Sequence, residues 1–556
     1  MARKLFMMLA FMFMVTGAMI AQNTFSLVWK LHELPFQDPG VGSEMALVKA
    51  GFDTDKDGKG EFLCAYTDLD SNFLMMYEAN GDNTYDLVWY FKYPIAANSF
   101  AGVVVGDLDN NGKDEIITTM PSIANPETPN PPRVWVFEWN GVVGENDYGN
   151  YTTGTMEANS EWNFDVPDNI DFRPYSLIIE DIDGDDRNEL LVGVRAGGRG
   201  DEVMVVSLEG EFTGFSTWII EYNLQNLTGG GMYNVTTGDL DKDGKKEIYA
   251  FVWNLFTLHI IESTGADQYQ LVNSLEELFA AENIDYGTLE GVRVADVDND
   301  GVNEMYIACT EPDNALFVIT NITDVSAITK ADIKALAHLP RTNVGKLRTL
   351  NITDIDHDGK MDLMIGGEGN GKIFDYEYNG SGDVTDSTNW TLNIAFDVFE
   401  YSGIAPDAVP TITPRFFYGS CATDMDGDGK SEYVFVNYSC DFEIWSEDCY
   451  VFMIESDKGV GVEDDLVMPN SNYLAQNYPN PFNPSTTISF NVLKSDNVKL
   501  VVFDMLGREV ATLVNNVLPA GQQSYSFDAS KLTSGVYMYQ LTVGTWMQTK
   551  KMTLVK

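Results

Sequence analysis

Seven short stretches of this chain place oxygen donors at the same five offsets. The first holds Asp53, Asp55, Asp57, Lys59 and Glu61, with Gly58 after the third donor. Asp107, Asp109, Asn111, Lys113 and Glu115 come next around Gly112. Then follow Asp181, Asp183, Asp185, Arg187 and Glu189, where Asp186 stands in the glycine position. Asp239, Asp241, Asp243, Lys245 and Glu247 flank Gly244, and Asp296, Asp298, Asp300, Val302 and Glu304 flank Gly301. Asp354, Asp356, Asp358, Lys360 and Asp362 flank Gly359, and Asp424, Asp426, Asp428, Lys430 and Glu432 flank Gly429. The pattern D-x-D-x-D-G-x-x-[DE] arises ~0.02 times in a random chain of this composition. Five loops match it in full, so the series is a repeat and not an accident.

Alternating carboxylates at positions 1, 3 and 5 curl about one point. Glycine at 6 lets the backbone turn, so that the carbonyl of residue 7 faces the same point whatever its side chain. An acid at 9 then closes a shell of six or seven oxygens at about 2.3 to 2.6 Å, which suits Ca²⁺; Mg²⁺ keeps more water. The loops therefore predict five to seven calcium ions, with Asn111 and Asp186 marking the two loops that depart from the pattern. The opening is like that of an EF-hand, but the EF-hand closes with a glutamate at position 12.

The elements that carry these loops are strands. Val103-Val104-Val105, Leu177-Ile178-Ile179 and Val292-Arg293-Val294 precede loops, and Ile116-Ile117-Thr118, Leu190-Leu191-Val192 and Ile248-Tyr249-Ala250 follow them. Short β-branched runs of this kind make each loop the turn of a β-hairpin. The first unit holds four strand candidates, Met45 to Phe52, Glu61 to Tyr66, Phe73 to Tyr77 and Tyr85 to Tyr90. Seven units of four strands predict an all-β fold built as a seven-bladed β-propeller. The seventh unit supplies only three strands (Phe416 to Ala422, Tyr433 to Asn437, Tyr450 to Ile454). The spare segment is N-terminal: Asn23-Thr24-Phe25-Ser26-Leu27-Val28-Trp29 parallels Asn83-Thr84-Tyr85-Asp86-Leu87-Val88-Trp89, the fourth strand of the first unit. Phe25 to Trp29 is thus expected to complete blade seven and leave no open edge.

Composition narrows the partners. Among 556 residues, 34 Lys and Arg face 84 Asp and Glu, a formal net charge of −50. Such a field repels phosphate backbones and anionic lipid, which excludes nucleic acid. Four histidines and five cysteines without a CxxC pair leave little material for zinc chemistry, and His259 and His338 read as packed core residues. Cys440 and Cys449 could close a loop around Trp445. A basic start at Ala2-Arg3-Lys4, an apolar run from Leu5 to Ile20 and small residues at Ala18 and Ala21 read as an export signal over residues 1–21. No later run is long and apolar enough to span a bilayer, so the mature chain is expected to lack a transmembrane segment.

The acidic loops and their flanking strands resemble FG-GAP or VCBS repeats, the units of integrin α-subunit propellers, over roughly residues 23–456. That resemblance implies calcium loops between the first and second strand of each blade, at one face of the disc. The text changes after a linker at 457–472. Residues 473–556, with Gln476-Asn477-Tyr478-Pro479-Asn480-Pro481-Phe482-Asn483-Pro484, Leu506-Gly507-Arg508-Glu509-Val510 and Ser534-Gly535-Val536-Tyr537-Met538-Tyr539-Gln540-Leu541, read as a small Ig-like β-sandwich. They closely resemble the C-terminal sorting domain of the Bacteroidota type IX (Por) secretion system, which implies a secreted or outer-surface protein handled by that machinery.

Two functions remain open at this point. One is a non-catalytic binding or adhesion protein with a glycan or protein ligand on the face opposite the calcium loops; Pro121 to Arg133, Arg195 to Glu202 and Cys440 to Cys449 are its candidate contact loops. The other is a polysaccharide lyase or hydrolase on the same scaffold. No nucleophile elbow, HExxH or phosphate-cradling glycine motif occurs, so no catalytic residue is assigned.

Overall fold

A computed structural model describes residues 25–457 and 473–555, apart from 33, 36–43, 68–71, 98, 151–155, 198–199, 213–215, 228–230, 253–256, 277–287, 289, 310–313, 341–344, 404–413, 439–450, 475–476, 478–481, 506–507, 519–520 and 545. The export signal and the Cys440, Trp445 and Cys449 loop lie outside the described residues. Two compact units divide the chain, 1–459 and 460–556.

The first unit is a seven-bladed propeller. Its first blade runs Glu44–Phe52, Glu61–Thr67, Phe73–Gly81 and Thr84–Lys92, antiparallel and in chain order. Five further sheets repeat that order, and the seventh joins Gly419–Thr423, Ser431–Val436 and Val451–Ser456 to the N-terminal Phe25–Leu31. The first strand of every blade packs against the first strand of the next, and Gly419–Thr423 returns to Glu44–Phe52, so these strands form a closed inner ring. Second and third strands are almost wholly buried, as in Glu61–Thr67 and Val134–Glu138. They read as continuous apolar runs because neighbouring blades cover both their faces.

The closing strand does more than cap an edge. Phe25 pairs with Ser456 and Leu31 with Val451. From this strand Trp29 reaches over the seam into blade one, 5.4 Å from the Phe62 ring, 5.6 Å from Tyr77 and 5.7 Å from Tyr85. Trp89, its counterpart in the sequence echo, sits in the same way against Phe137 and Tyr148 of blade two. The N-terminal strand is therefore a true fourth strand, locking blade seven to blade one.

The second unit holds a three-stranded sheet (Tyr473–Leu474, Ser485–Val492, Gly521–Asp528) and a four-stranded one (Asp496–Asp504, Glu509–Leu518, Gly535–Val543, Trp546–Leu554). Phe490, Leu500, Val502, Phe527, Tyr539 and Leu541 from the two sheets share one core, the arrangement of a β-sandwich.

Truncating the mature chain to begin at residue 32 should expose the Val451–Ser456 edge and lower the melting midpoint by at least 10 °C, with self-association on size exclusion; Trp29→Ala alone should cost about 3 kcal/mol in urea unfolding. A truncated monomer with an unchanged midpoint would contradict the clasp.

Candidate metal centres

All seven acidic loops join first to second strands, at one end of the blades, and all seven close on the same bonds. The backbone N–H of residue 2 donates to one oxygen of the acid at 9: Thr54 to Glu61 (2.8 Å), Leu108 to Glu115 (2.8 Å), Ile182 to Glu189 (2.8 Å), Leu240 to Glu247 (3.0 Å), Val297 to Glu304 (3.0 Å), Ile355 to Asp362 (2.9 Å) and Met425 to Glu432 (2.9 Å). Residue 6 donates to the acid at 1 and residue 7 to the side chain at 5, as Gly58 does to Asp53 (2.9 Å) and Lys59 to Asp57 (2.9 Å). Asn111 substitutes without loss, accepting from the Lys113 N–H at 3.0 Å. Asp186 takes the glycine position at φ 70° and still donates to Asp181 at 3.0 Å. Its glycine counterparts sit at φ 84° to 90° with open space where a Cβ would project, so glycine is required there for conformation and not for room. Position 4 is also left-handed, at Lys56, Asn110, Gly184, Lys242, Asn299, His357 and Gly427.

The acid at 9 is the buried member, at most 1% exposed in every loop. Its second oxygen is buried with no hydrogen-bond partner in Glu61, Glu115, Glu189, Glu247, Asp362 and Glu432; in Glu304 the Thr320 hydroxyl donates to it at 3.3 Å. Burial without a counter-charge pushes these groups far above the carboxylate range, Glu61 and Glu115 to about 9, Glu189 and Glu432 to about 8, Glu247 and Glu304 to about 7. Asp362 is driven up by burial and then by Asp375 beside it. Oxygens of Asp239, Asp241, Asp243 and Glu247 lie within 4.8 Å of one another, as do those of Asp424, Asp426, Asp428 and Glu432; Asp53, Asp55 and Glu61, and Asp107, Asp109 and Glu115, do the same with three. This is a donor set for a hard divalent cation, which would satisfy the orphaned oxygen and oppose the crowded charge.

A second acid stands beside most sites. The residue paired with position 9 on the third strand is Glu78, Glu138, Glu262, Glu377 or Glu455 in five blades. In those same blades a lysine fills position 7 and reaches that glutamate: Lys59 to Glu78 (2.8 Å), Lys113 to Glu138 (2.5 Å), Lys245 to Glu262 (2.7 Å), Lys360 to Glu377 (2.6 Å) and Lys430 to Glu455. Where Thr320 replaces the glutamate, Val302 replaces the lysine. The position-7 side chain thus neutralises the third-strand acid and leaves its carbonyl to the loop. The sequence signal was available as an acid at the end of the third strand in five blades, in step with the lysine.

The loops also reach across blades. Asp109 accepts from the Phe212 N–H (2.9 Å), Asp183 from Asp267 (2.5 Å), Asp241 from Val325 (3.0 Å) and Asp426 from Asn83 (2.6 Å), each donor lying after the third strand of the following blade. Gly60 N–H donates to the Met425 carbonyl at 2.8 Å, carrying the chain of loops over the seam.

Of the two histidines read as packed, one departs from the sequence expectation and one meets it. His338 is exposed instead of packed, because it ends Lys334–His338, the outer fourth strand of its blade, which no further strand covers. His259 is buried, with Nδ1 2.9 Å from the Ser274 hydroxyl. Of the candidate contact loops, Arg133 is fully buried, its guanidinium held by the Asn130 side chain and the Pro131 and Ile170 carbonyls. That loop is braced from within.

Residues 53–118 match the model of an FG-GAP-like repeat, and residues 476–555 that of a secretion system C-terminal sorting domain. The chain thus carries a repeat of the FG-GAP type and a type IX sorting tail, which assigns it to the cell surface or the secreted fraction. No curated protein sequence matches it. Among solved structures it is similar to PorZ, an essential bacterial surface component of the type-IX secretion system of Porphyromonas gingivalis, at 12% identity and TM-score 0.37, over 91% of this chain and 59% of that one. It is also similar to a fungal alcohol oxidase of the AA5 family in complex with copper (9%, TM-score 0.37, 96% and 97% covered) and to a Polycomb Repressive Complex 2 chain of Chaetomium thermophilum (9%, TM-score 0.39, 78% and 99%). At such scores these likenesses concern the fold alone. Among the described residues no helix is long and apolar enough to cross a membrane.

Lys113→Met should leave Glu138 buried without its cation and destabilise the chain by about 3 kcal/mol in urea unfolding, whereas Val302→Met, with no glutamate opposite, should stay within about 0.5 kcal/mol. Equal effects would remove the pairing role from position 7.

Proposed function

We propose that this chain is an exported binding protein whose propeller is held rigid by calcium in the acidic loops. Residues 1–21 form the export signal, 22–456 the propeller, 457–472 a linker and 473–556 the sorting domain. The observation that carries the calcium reading is the orphaned, buried oxygen of the acid at 9, repeated in six loops. A carboxylate in that state is stabilised by a proton or a cation, and the neighbouring aspartates favour the cation. Each ion takes ligands from positions 1, 3, 5 and 9 and the carbonyl of 7. Seven ions would move the net charge from −50 to −36. Bound only by the folded state, each contributes about 2.7 kcal/mol at a hundredfold excess over its Kd. Rigid blades then present the loops of the opposite face to a surface ligand.

Metal content by mass spectrometry should give five to seven calcium ions per mature chain, and EGTA should lower the melting midpoint by about 10 °C or more. Glu247→Gln should remove one ion. A chain without calcium and with an EGTA-insensitive midpoint would overturn the reading. Deleting residues 473–556 should hold the propeller inside the producing cell, measured by surface and medium fractionation.

A further inference from the structure

The end of the inner ring remote from the acidic loops has its own composition. Six residues before each loop stand Leu47, Ala101, Tyr175, Tyr233, Glu290, Arg348 and Tyr418. In four blades this residue is passed over in the strand pairing, between Ala46 and Val48, Pro174 and Ser176, Met232 and Asn234, and Leu347 and Thr349. At ~3.3 Å per residue these side chains lie roughly 20 Å from the metal loops. They meet about the axis. Phe100 of blade two stacks on Tyr175 of blade three (4.5 Å) and touches Tyr418 and Tyr438 of blade seven (both 5.7 Å), and Tyr175 stacks on Tyr233 of blade four (5.3 Å). Lys49 of blade one meets Glu290 of blade five at 2.8 Å. Tyr233, Phe417 and Tyr438 are half-buried and edge the cluster.

Arginine gathers here. Nine arginines fall between residues 22 and 456, and Arg187 is the one within an acidic loop. Arg173, Arg195 and Arg348 all act on the Tyr233 phenol, the Arg195 guanidinium lying 5.0 Å over its ring. Arg173 is held by Asp171 (2.8 Å), while Arg348 (3.2 Å) and Arg415 (3.7 Å) share Glu368. No carboxylate among the described residues comes within ion-pair distance of Arg195. Asp201, near it on the same hairpin, is buried and accepts from the Gly231 N–H.

We propose that this end of the inner ring binds an anionic saccharide, a chain of uronate or sulfated sugars, with an acid group on Arg195 and a sugar face against the Tyr233, Phe417 and Tyr438 edge. It rests on the binding reading above and gives that reading a ligand class. A planar guanidinium suits a carboxylate or sulfate bidentately. Half-exposed rings suit the C–H faces of sugars, and guanidiniums spaced about a ring suit a charge that recurs along a polymer. The acidic loops do not oppose this, because at ~0.15 M salt charge is screened within ~8 Å and they stand at the other end of the blades.

The test is calorimetric titration of the mature full-length chain, in calcium buffer, with polygalacturonate, dextran sulfate, neutral dextran and poly-glutamate. Binding of at least one anionic saccharide, weakened by salt and absent with dextran, is expected. Arg195→Gln should weaken it at least tenfold at an unchanged melting midpoint, while Lys334→Gln, exposed on the outer strand Lys334–His338, leaves it intact. Equal binding of dextran or of poly-glutamate, no binding of either anionic saccharide, or wild-type affinity in Arg195→Gln would each overturn the assignment. Saccharide capture that ignores Arg195→Gln sinks this site and spares the binding reading; cleavage of any of these polymers sinks the binding reading itself.

Discussion

Everything in the propeller hangs on how one carboxylate is divided. The acid at position 9 spends one oxygen on the N–H of residue 2, which shuts the loop, and turns the other into a buried space without a hydrogen-bond donor in six of the seven loops. The first bond is local and needs no ion. The second oxygen is a standing electrostatic deficit, because burial penalises charge by several kcal/mol per group. A chain that repeats this deficit around a ring has tied its fold to whatever supplies positive charge at that face. Lysine at position 7 meets part of the need by pairing with the third-strand glutamate, but it turns away from the orphaned oxygen.

Because the position-3 aspartates Asp109, Asp183, Asp241 and Asp426 also accept N–H groups from the following blade, those loops cannot rearrange alone. Loss of shape at Asp426 would be felt at Asn83, 343 residues earlier in the chain and across the seam where the ring closes. The seam carries three independent ties: strand Phe25–Leu31 on Val451–Ser456, Trp29 among the blade-one aromatics, and the loop contacts of Asp426 and Met425. Closing a ring between residues near the two ends of the propeller costs loop entropy, which grows slowly with length. Several modest ties suffice to offset it.

What the sequence made legible was whatever repeats. The seven loops, the four-strand unit and the spare N-terminal strand could be read because Asp-x-Asp spacing and the echo of Asn83 to Trp89 in Asn23 to Trp29 are local patterns. The clasp of Phe25–Leu31 on blade seven follows from counting strands. Position 4 was not legible: lysine, asparagine, histidine and, at Gly184 and Gly427, glycine all adopt its left-handed backbone, so no single residue type marks it. Cross-blade bonds were hidden because donors such as Phe212 and Val325 act through backbone N–H, which every residue but proline carries. His338 misled because an apolar neighbourhood in sequence does not say that its strand is the outer one of a blade.

The same contrast separates the two ends of the inner strands. At the loop end seven blades present nearly one chemistry, since each must solve the same coordination and closure problem. Six residues upstream the strands present leucine, alanine, three tyrosines, a glutamate and an arginine, in a ring whose backbone geometry is held nearly constant. A position freed from the demands of the repeat, yet placed by it, is where a symmetric scaffold can become asymmetric. The aromatic stack joins blades two, three, four and seven, the Lys49 to Glu290 pair joins one and five, and Arg348 enters from six, so the seven blades send no common group to the axis. Recognition needs such inequivalence, because a ligand without sevenfold symmetry cannot be oriented by a site that has it. The loop end is uniform because the repeat demands it, and the opposite end of the inner strands varies because the repeat does not.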